Sequence, residues 1–459
     1  MPANKNGENH LLTSWKEIAA YLGVDERTCQ RWEKKYGLPV RRMEDTPRSR
    51  VSADKEELNR WREAVTKNSN FIREIRQAGP IIKRESGAQN PIKRYILFAM
   101  GILVIVVLLI IFIPRFIYDR QPADFTIDHS RLIILNKSGK ELWSYDTKLE
   151  NLENEKFYKD RFQKKNPALE RSQIRLPNLM FEDINRDGRL EVLFSTATDN
   201  QLGGGELFCF NHRGKRLWPS FRAGRERIYG NTVYSADYRI SGFIIGDCNN
   251  DGNAEILLIA HQWPEWPCQL VLLDHKGNTQ GEYWNSGYFA DLVFQDLNGD
   301  GKQEILVSGC NNEYKKGCFA VFDPEKMSGG SPQRGREFSC PDLDRGSEIF
   351  YILAPRTDVD MADVNISLEA LTEIKPLNNG RVSMMTIQTG LFFEFSPRLE
   401  LADIKPSHRF DILHQTALLA GKIKSELNEA YYENLKKDIR YFDGKTKTWV
   451  NYPAMSNPW

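Results

Sequence analysis

The longest apolar run in the chain, residues 95–113, has 19 residues and no charge. At the ~1.5 Å rise per residue of an α-helix, such a run spans roughly the ~30 Å hydrocarbon core of a bilayer. A signal peptide would lie at the extreme N-terminus, and a buried core helix is rarely apolar over this length. With its C-terminal flank, the run predicts one transmembrane helix over residues 95–118.

Ahead of this run, apolar positions recur at a helical period. Ser14 has the position of a helix N-cap with Glu17 at capping-box spacing, and Gly23 has the position of a helix end. The apolar residues between them share one helix face: Trp15, Ile18, Ala19 and Leu22. Asp25 then caps a second predicted helix over residues 26–36.

The second helix has a basic outer face. Cys29, Trp32 and Tyr36 form its inner face. The polar residues that point outward are Arg27, Thr28, Arg31, Lys34 and Lys35. Two short helices, a tight turn and a basic face on the second helix are what a helix-turn-helix needs to enter a DNA major groove.

Four further arginines bracket a short turn after this helix: Arg41, Arg42, Arg48 and Arg50. The pattern predicts a two-stranded wing whose arginines reach phosphates or the minor groove. Ser52 is the predicted cap of a third helix, with Leu58, Trp61 and Ala64 facing inward. An alternative is a small helical module that binds another protein.

The segment SWKEIAAYLGVDERTCQRWEKKYGLPVRR resembles the excisionase-like and MerR-type winged helix-turn-helix domains. The resemblance covers about fifty residues of the chain. It implies DNA contacts from Thr28, Arg31 and Lys35 and from Arg48 or Arg50 in the wing. The predicted DNA-binding domain is residues 1–66, followed by a basic flexible linker over residues 67–94, in which Gly and Pro interrupt any apolar period.

Beyond residue 118, one loop pattern occurs three times, beginning at Asp183, Asp247 and Asp296. Each copy has Asp, Asn, Asp, Gly and Glu at positions 1, 3, 5, 6 and 9, followed by a β-rich apolar run. Oxygen atoms at alternating positions can converge on one hard cation, so the spacing suits calcium. An EF-hand would instead have its bidentate glutamate at position 12 and helices on both sides.

The predicted ligands in each loop are the side chains at positions 1, 3, 5 and 9 and the backbone carbonyl at position 7. In the first loop they belong to Asp183, Asn185, Asp187, Arg189 and Glu191. In the second they belong to Asp247, Asn249, Asp251, Asn253 and Glu255, and in the third to Asp296, Asn298, Asp300, Lys302 and Glu304. The alternative is a metal-free Asn/Asp-Gly turn.

These loops resemble FG-GAP (VCBS) repeats, the calcium-loop repeats of integrin-α-like β-propellers. The resemblance implies that each loop joins the first two strands of a four-stranded blade in a propeller over residues 119–459. A run from Arg131 matches a later half-blade and is assigned to a first or closing blade. At roughly 50 residues per blade, about six or seven blades are expected.

Two later runs, LTEIKPLNNGRVSMMT from Leu371 and LADIKPSHRFDILHQT from Leu401, match each other as decayed copies of the pattern. Lys375 and Lys405 occupy position 3, where a cation would repel a metal, so these blades are expected to bind none. The helical pattern over residues 424–439 is interpreted as an insertion.

The net charge differs in sign between the N-terminal part of the chain and the remainder. Residues 1–94 carry 20 Lys and Arg against 13 Asp and Glu, whereas the remainder carries 43 against 49. Basic residues concentrate before the apolar run, so the positive-inside rule predicts a cytoplasmic N-terminus and an external propeller in a single-pass inner or plasma membrane protein.

Six cysteines follow the apolar run: Cys209, Cys248, Cys268, Cys310, Cys318 and Cys340. An oxidising compartment would permit disulfides, with Cys310 and Cys318 the best pair across a hairpin, and buried free thiols are the alternative. Aromatic residues are also frequent there, including Trp143, Trp218 and Trp284. Most are expected in the core, and a minority could line a surface for sugars or partner proteins.

The predicted fold class is therefore multidomain, with a small mainly-α winged helix-turn-helix, a single transmembrane helix and an all-β propeller. The preferred function is a membrane-anchored transcription regulator, which resembles bacterial one-component regulators. Its predicted partners are DNA, the bilayer through residues 95–118, an unknown external ligand or protein, and a possible second copy of itself. The alternative is a membrane adhesion or scaffold protein. No catalytic constellation is found in the sequence, so no enzymatic activity is expected.

Overall fold

The computed structural model describes residues 10–42, 51–66, 120–162, 176–198, 205–262, 266–378 and 380–451, together with Phe71, Leu103 and Val106. The chain divides into two compact units, Met1–Leu108 and Leu109–Trp459. Each unit is described separately below.

The first unit combines three helices with a small antiparallel sheet. The helices are α1 (Trp15–Leu22), α2 (Glu26–Tyr36) and α3 (Lys55–Val65). The strands are β1 (Leu11–Leu12), β2 (Arg41–Arg42) and β3 (Val51–Asp54), in the order β1-β3-β2. The predicted helices and the predicted pairing of two short strands around the arginine-flanked turn are confirmed, whereas the turn itself, residues 43–50, lies outside the described residues.

Local capping explains where the first two helices begin and end. The Ser14 hydroxyl accepts from the Glu17 amide at 3.2 Å, and Gly23 ends α1 with φ 70°. The Glu17 carboxylate reaches Thr13 rather than Ser14, so the predicted capping box is only half formed. Asp25 caps α2 as predicted, accepting from the Thr28 amide at 2.9 Å.

The cap of α3 differs from the prediction. Ser52 lies within β3, and the N-cap is Asp54, whose carboxylate accepts from the amides of Glu56 and Glu57. The strand takes Ser52 because it pairs with Arg41 of β2. Pairing across the sheet therefore delays the start of the helix by two residues.

The core of the first unit is aromatic. Trp32, Trp61 and Phe71 are in mutual ring contact, with centroid distances of 4.9–6.0 Å. Phe71 is fully buried although it lies beyond residue 66, so the packed core extends into the segment that was predicted to be a flexible linker. The other residues of the predicted linker, 67–94, lie outside the described residues.

The predicted membrane-spanning helix requires a correction. No helix among the described residues is long and apolar enough to cross a membrane. Residues 95–118 lie outside the described residues, apart from Leu103 and Val106, which are helical and exposed. The predicted single-pass localisation, with a cytoplasmic N-terminus and an external propeller, depends on such a helix and is withdrawn.

The described part of the second unit contains five antiparallel sheets of three or more strands and one separate two-stranded hairpin. Within each of the five sheets, most neighbouring strands follow one another in the sequence. We number the five larger sheets blade one to blade five. Blade one contains β4 (Asp124–Asp128), β5 (Arg131–Leu135) and β6 (Glu141–Asp146), and is followed by α4 (Glu155–Lys159). Blade two contains β7 (Leu179–Glu182), β8 (Glu191–Ser195), β9 (Glu206–Phe210) and β10 (Phe221–Arg222), and is followed by the hairpin β11 (Arg227–Tyr229) and β12 (Thr232–Tyr234). The run from Arg131 thus belongs to the first blade, as expected.

The next three blades repeat the same meander. Blade three contains β13 (Tyr238–Gly246), β14 (Glu255–Gln262), β15 (Cys268–Leu273) and β16 (Thr279–Asn285). Blade four contains β17 (Phe289–Gln295), β18 (Glu304–Asn311), β19 (Lys316–Phe322) and β20 (Phe350–Leu353), with a 3₁₀ turn at Arg336–Phe338 and α5 at Asp358–Ala362. Blade five contains β21 (Leu371–Pro376), β22 (Val382–Thr386), β23 (Leu391–Phe395) and β24 (Leu401–Pro406).

The chain then adds α6 (His408–Leu419), α7 (Glu429–Lys437), β25 (Arg440–Asp443) and β26 (Thr448–Val450). Helix α7 confirms the helical pattern predicted near residues 424–439. Strand β25 pairs with β20, so the hairpin β25–β26 extends the outer edge of blade four rather than blade five.

Successive blades pack face to face, which explains their apolar strands. In β8, Val192 and Phe194 face blade one whereas Leu193 faces blade three. Side chains alternate between the two faces of a strand, so a sheet covered on both faces needs apolar residues at every position. The first strands of blades three, four and five also lie beside one another. This arrangement is a β-propeller architecture, as predicted.

The predicted fold class is nevertheless wrong: the described residues contain no membrane-spanning helix, a winged helix-turn-helix domain is not shown, and the blade count differs. Five blades, rather than six or seven, are present among the described residues. The two matching runs at Leu371 and Leu401 are not separate blades, because β21 and β24 are the two edges of blade five. The residues after β24 form α6, which begins at the Ser407 cap, whereas the sequence pattern predicts a strand there.

All seven cysteines lie within the described residues, and none forms a disulfide. Cys310 and Cys318 miss each other by one register position, since Cys310 pairs with Gly317 and Cys318 with Gly309. Neighbouring positions on a strand point to opposite faces, so the two sulfur atoms lie on different sides of blade four. The alternative of buried free thiols is correct.

Candidate functional sites

The three repeated loops occupy equivalent places in blades two, three and four. Each loop starts directly after the first strand of its blade and ends where the second strand begins. The glutamates at position 9 are the first residues of the second strands: Glu191 in β8, Glu255 in β14 and Glu304 in β18. The implied position between the first two strands of a blade is confirmed.

The side chains at positions 1, 3 and 5 turn inward onto the loop backbone. In the second loop, the Asp251 amide donates to Asp247 Oδ1 at 3.1 Å and to Asn249 Oδ1 at 2.8 Å. The Gly252 amide donates to Asp247 Oδ2 at 3.0 Å, and the Asn253 amide donates to Asp251 Oδ1 at 2.7 Å. The first loop repeats all four bonds, and the third differs at one, where Gly299 donates to position 1.

The glutamate at position 9 joins the end of each loop to its beginning through a hydrogen bond. It is buried and accepts from the backbone amide at position 2, at 3.2 Å for Glu191, 2.9 Å for Glu255 and 2.8 Å for Glu304. Burial raises the pKa of Glu191 to about 7, and the nearby aspartates of its loop add to the effect. Burial also raises the pKa of the other two glutamates. Burial against the second strand thus disfavours the charged form of each glutamate.

In the second and third loops, the side-chain amide nitrogen at position 3 donates to the carboxylates at positions 5 and 9. Asn249 Nδ2 lies 3.2 Å from Glu255 Oε1 and 3.4 Å from Asp251 Oδ2, and Asn298 makes equivalent contacts in the third loop. Within the described part of the chain, however, no three His, Cys, Asp or Glu side chains form a group that could hold a metal ion. A donor set of carboxylate, amide and carbonyl oxygens fits calcium in its chemistry.

The loops are joined to one another by a repeated backbone bond that the sequence does not predict. The carbonyl at position 2 of one loop accepts from the amide at position 8 of the next, from Ala254 to Ile184 at 2.9 Å and from Gln303 to Cys248 at 2.8 Å. For the first loop, the side chain of Gln121 takes the place of a preceding loop and accepts from Leu190 at 2.9 Å. Gln121 also donates to the Gly188 carbonyl at 3.1 Å. We call this series of contacts the loop ladder.

Arg186, at position 4 of the first loop, adds an ionic link. Its guanidinium donates to Asp247 Oδ2 of the second loop at 2.8 Å. Asp247 is a predicted metal ligand, and the Arg186 guanidinium partly balances its charge.

The blade-five lysines also pair with acids: Lys375 with Glu373 at 2.9 Å, and Lys405 with Glu394 at 2.7 Å. The lysine ammonium groups thus supply positive charge beside the acids of blade five.

The second candidate site is the basic surface of the first unit. Arg27, Arg31, Lys34 and Lys35 are exposed along α2, as predicted, and Arg41 and Arg42 are exposed on β2. A groove of 680 Å³ runs between α2 and β2, and Gln30, Arg31, Lys34, Lys35 and Arg42 are among its lining residues. We call it the α2–β2 groove. Gln30 was not singled out from the sequence, although its exposed position beside Arg31 follows from the helical period.

Three of the predicted DNA contacts differ from expectation. Thr28 is buried, and its hydroxyl donates to Asp25 at 2.6 Å, so it belongs to the cap of α2. Arg42 pairs with Glu33 at 3.0 Å and Arg41 with Glu57 at 2.7 Å. Arg48 and Arg50 lie outside the described residues.

The second unit thus belongs, by its architecture, to the class of β-propeller proteins. No protein-family model matches the chain, and no curated protein matches it. The resemblance to helix-turn-helix domains and to FG-GAP repeats is thus not shown by these comparisons.

Solved structures show distant similarity. One is a Dos1 propeller, at 9% identity, with a TM-score of 0.34 over 62% of this chain and 59% of that chain. A protein of unknown function from Bacteroides caccae is 12% identical, with a TM-score of 0.28 over 62% and 74%. The exotype rhamnogalacturonan lyase YesX is 14% identical, with a TM-score of 0.27 over 62% and 52%. Similarity at this level carries no functional argument, and the propeller assignment rests on the five blades themselves.

Proposed function

We propose that the chain is a DNA-binding transcription regulator in which the first unit contacts DNA and the propeller senses a ligand or partner. The observation that supports DNA binding is the α2–β2 groove, where Arg31, Lys34 and Lys35 are exposed along one helix. Side chains of this kind supply affinity through phosphate contacts, and an exposed helix face can enter a major groove.

Ion pairs within the first unit are expected to weaken this binding. Arg41 and Arg42 already pair with Glu57 and Glu33, so part of the positive charge of this surface is neutralised within the unit. One such unit is expected to bind weakly, and paired half-sites would require two copies of the chain.

The proposed DNA binding is tested with the full chain and a labelled duplex library, by fluorescence anisotropy at several salt concentrations. A variant that carries Arg31→Ala, Lys34→Ala and Lys35→Ala is expected to lose most affinity and to show a shallower dependence on salt. The matched control removes three exposed basic residues elsewhere in the unit: Lys16→Ala, Arg60→Ala and Arg62→Ala. Equal losses in both variants, or no salt-sensitive binding by the unmodified chain, would refute the proposal.

We further propose that the three loops bind calcium as a structural ion. The inward-turned carboxylates and the buried glutamates support this assignment, because a divalent cation would balance charge that otherwise accumulates on each loop. The residues that would hold it are those at positions 1, 3, 5 and 9 of each loop, with the carbonyl at position 7. The ion would fix the loops and with them the joints between the first two strands of blades two to four.

The absence of enzymatic activity remains a prediction of the sequence. An activity screen of the purified chain against polysaccharides and other polymers would test it. Turnover that survives extensive purification and disappears on substitution of a single residue of the propeller would contradict it.

A further inference from the structure

A cavity of 280 Å³ lies at the outer side of blades three and four. Its walls are β16, the segment 330–346 that precedes β20, and the hairpin β25–β26. The walls hold one another in place, since Gly330 bridges to both Trp284 and Arg345, and Lys447 donates to the Gly346 carbonyl. Ligand pockets in proteins typically start at about 300 Å³, so the space suits one small ring.

Five aromatic side chains line this cavity: Tyr229, Trp284, Phe338, Phe442 and Trp449. Trp449 is half-buried, and its ring is held by Phe442 at 5.4 Å and by Tyr314 at 5.2 Å between centroids. Because neighbouring rings fix its orientation, Trp449 forms a preformed aromatic wall of the cavity, with the Arg334 guanidinium 6.0 Å from its ring centroid.

The same cavity is lined by buried polar atoms that have no hydrogen-bond partner among the described residues. They are both carboxylate oxygens of Glu348, the side-chain oxygen of Gln333 and the hydroxyl of Tyr229. Glu348 is 1% exposed, and the Tyr283 hydroxyl lies beside its carboxylate. Buried polar groups are normally paired, so several acceptors at one cavity indicate a ligand that donates hydrogen bonds.

The charges around the cavity narrow the class of ligand. Lys447, Arg334 and Arg345 line it against Asp344 and Glu348, so positive charges predominate at its rim. A cationic ligand would be repelled by the rim, and an anionic one would face the buried carboxyl group. A neutral ligand meets neither penalty.

We propose that this cavity binds a neutral polyhydroxylated ring, that is, one sugar residue. One face of the ring would stack on Trp449, and its hydroxyl groups would donate to Glu348 and Gln333. A hydroxyl both donates and accepts, so it can also accept from Tyr229. This site is independent of DNA binding by the first unit, and it gives the proposed sensor unit a class of ligand.

The test uses the full chain and isothermal titration calorimetry with D-glucose, D-galactose, D-mannose, L-fucose and N-acetyl-D-glucosamine as separate probes at millimolar concentrations. At least one sugar is expected to bind saturably. Glu348→Gln, Gln333→Leu and Trp449→Ala should each weaken that binding at least tenfold. Gln333 is only half-buried, so its variant tests the site through a side chain that lies outside the core.

Trp143→Ala is the matched control, because Trp143 is also half-buried but packs against Phe210, between blades one and two. It should leave sugar binding unchanged. Three outcomes would overturn the proposal: no saturable binding of any of the five sugars, binding that none of the three cavity variants weakens, or saturable binding of putrescine or acetate in their place. DNA affinity measured on the same samples separates this result from the fate of the proposed DNA binding.

Discussion

The buried carboxyl group of Glu348 is expected to make the stability of this protein depend on pH. Burial raises its pKa to about 7, and nearby Lys447 only partly offsets the shift. An unfolded glutamate titrates near ~4.3, so between these values the folded chain holds a proton that the unfolded chain has released. The contribution of Glu348 to stability is therefore present at low pH and is lost as the pH rises toward its folded pKa.

Glu348→Gln should remove this pH-dependent loss. The variant is expected to be more stable than the unmodified protein by about 3 kcal/mol at pH 8, and the difference should narrow below about pH 5. Urea unfolding at both pH values measures it. Glu141→Gln, at an exposed position of β6, is the control and should change neither value. The same pH profile in the Glu348 variant and in the unmodified protein would mean that Glu348 is charged at no unusual cost.

Glu33 permits a residue-scale test of the proposed DNA surface. Its carboxylate accepts hydrogen bonds from two guanidinium nitrogens of Arg42. The substitution Glu33→Gln would free Arg42 for phosphate contact. DNA affinity should rise severalfold at low salt and less at high salt, because exposed ion pairs are themselves weak. Fluorescence anisotropy with a duplex measures the change. Glu63→Gln on α3 is the control, and an equal gain there would show that only net charge matters.

At the scale of the element, the start of α3 is set by the sheet rather than by the nearest serine. Asp54→Ala removes acceptors for two helix amides and should destabilise α3 by about 1 kcal/mol, whereas Ser52→Ala should have little effect. Amide hydrogen exchange of residues 56–60 measures both variants. Faster exchange with Ser52→Ala than with Asp54→Ala would show that Ser52 caps α3, as the sequence predicts.

Elements fixed by short-range chemistry could be predicted from the sequence. The caps at Ser14 and Asp25 and the loops at Asp183, Asp247 and Asp296 depend on residues within one turn of each other. Elements fixed by distant partners could not. The pairing of β21 and β24 within one blade, the one-residue offset between Cys310 and Cys318, and the contact of Gln121 with the first loop all depend on register or on long-range approach.

The candidate sites divide in the same way. The helical period was sufficient to place Arg31, Lys34 and Lys35 on one exposed face, but it could not show that Thr28 is used by the cap or that Glu33 neutralises Arg42. The aromatic residues were expected mostly in the core. Only the fold brings Trp284 and Trp449 to the same cavity, since they come from different blades.

At the scale of the whole molecule, the loop ladder connects blades two, three and four, so the stability of one blade depends on its neighbours. Calcium should stabilise the propeller by about 2.7 kcal/mol for each loop at free calcium 100-fold above its Kd. Thermal melts with calcium and with EGTA measure this difference. A variant with Asp187→Asn, Asp251→Asn and Asp300→Asn should lose most of it.

The control for this experiment removes three exposed acids outside the loops: Asp128→Asn, Asp342→Asn and Asp438→Asn. It should keep the full response to calcium. An unmodified protein whose melting temperature does not differ between calcium and EGTA would show that the loops are closed by their own hydrogen bonds alone.

The hairpin β25–β26 completes blade four late, because it follows blade five in the sequence. During synthesis, the outer strand of blade four leaves the ribosome before blade five, α6 and α7, and its partner β25 follows only after all of them. Until then, one edge of β20 has open backbone donors and acceptors, which are prone to pair with other chains. Nascent chains stalled between β24 and β25 should therefore aggregate or recruit chaperones more readily than chains released after β26.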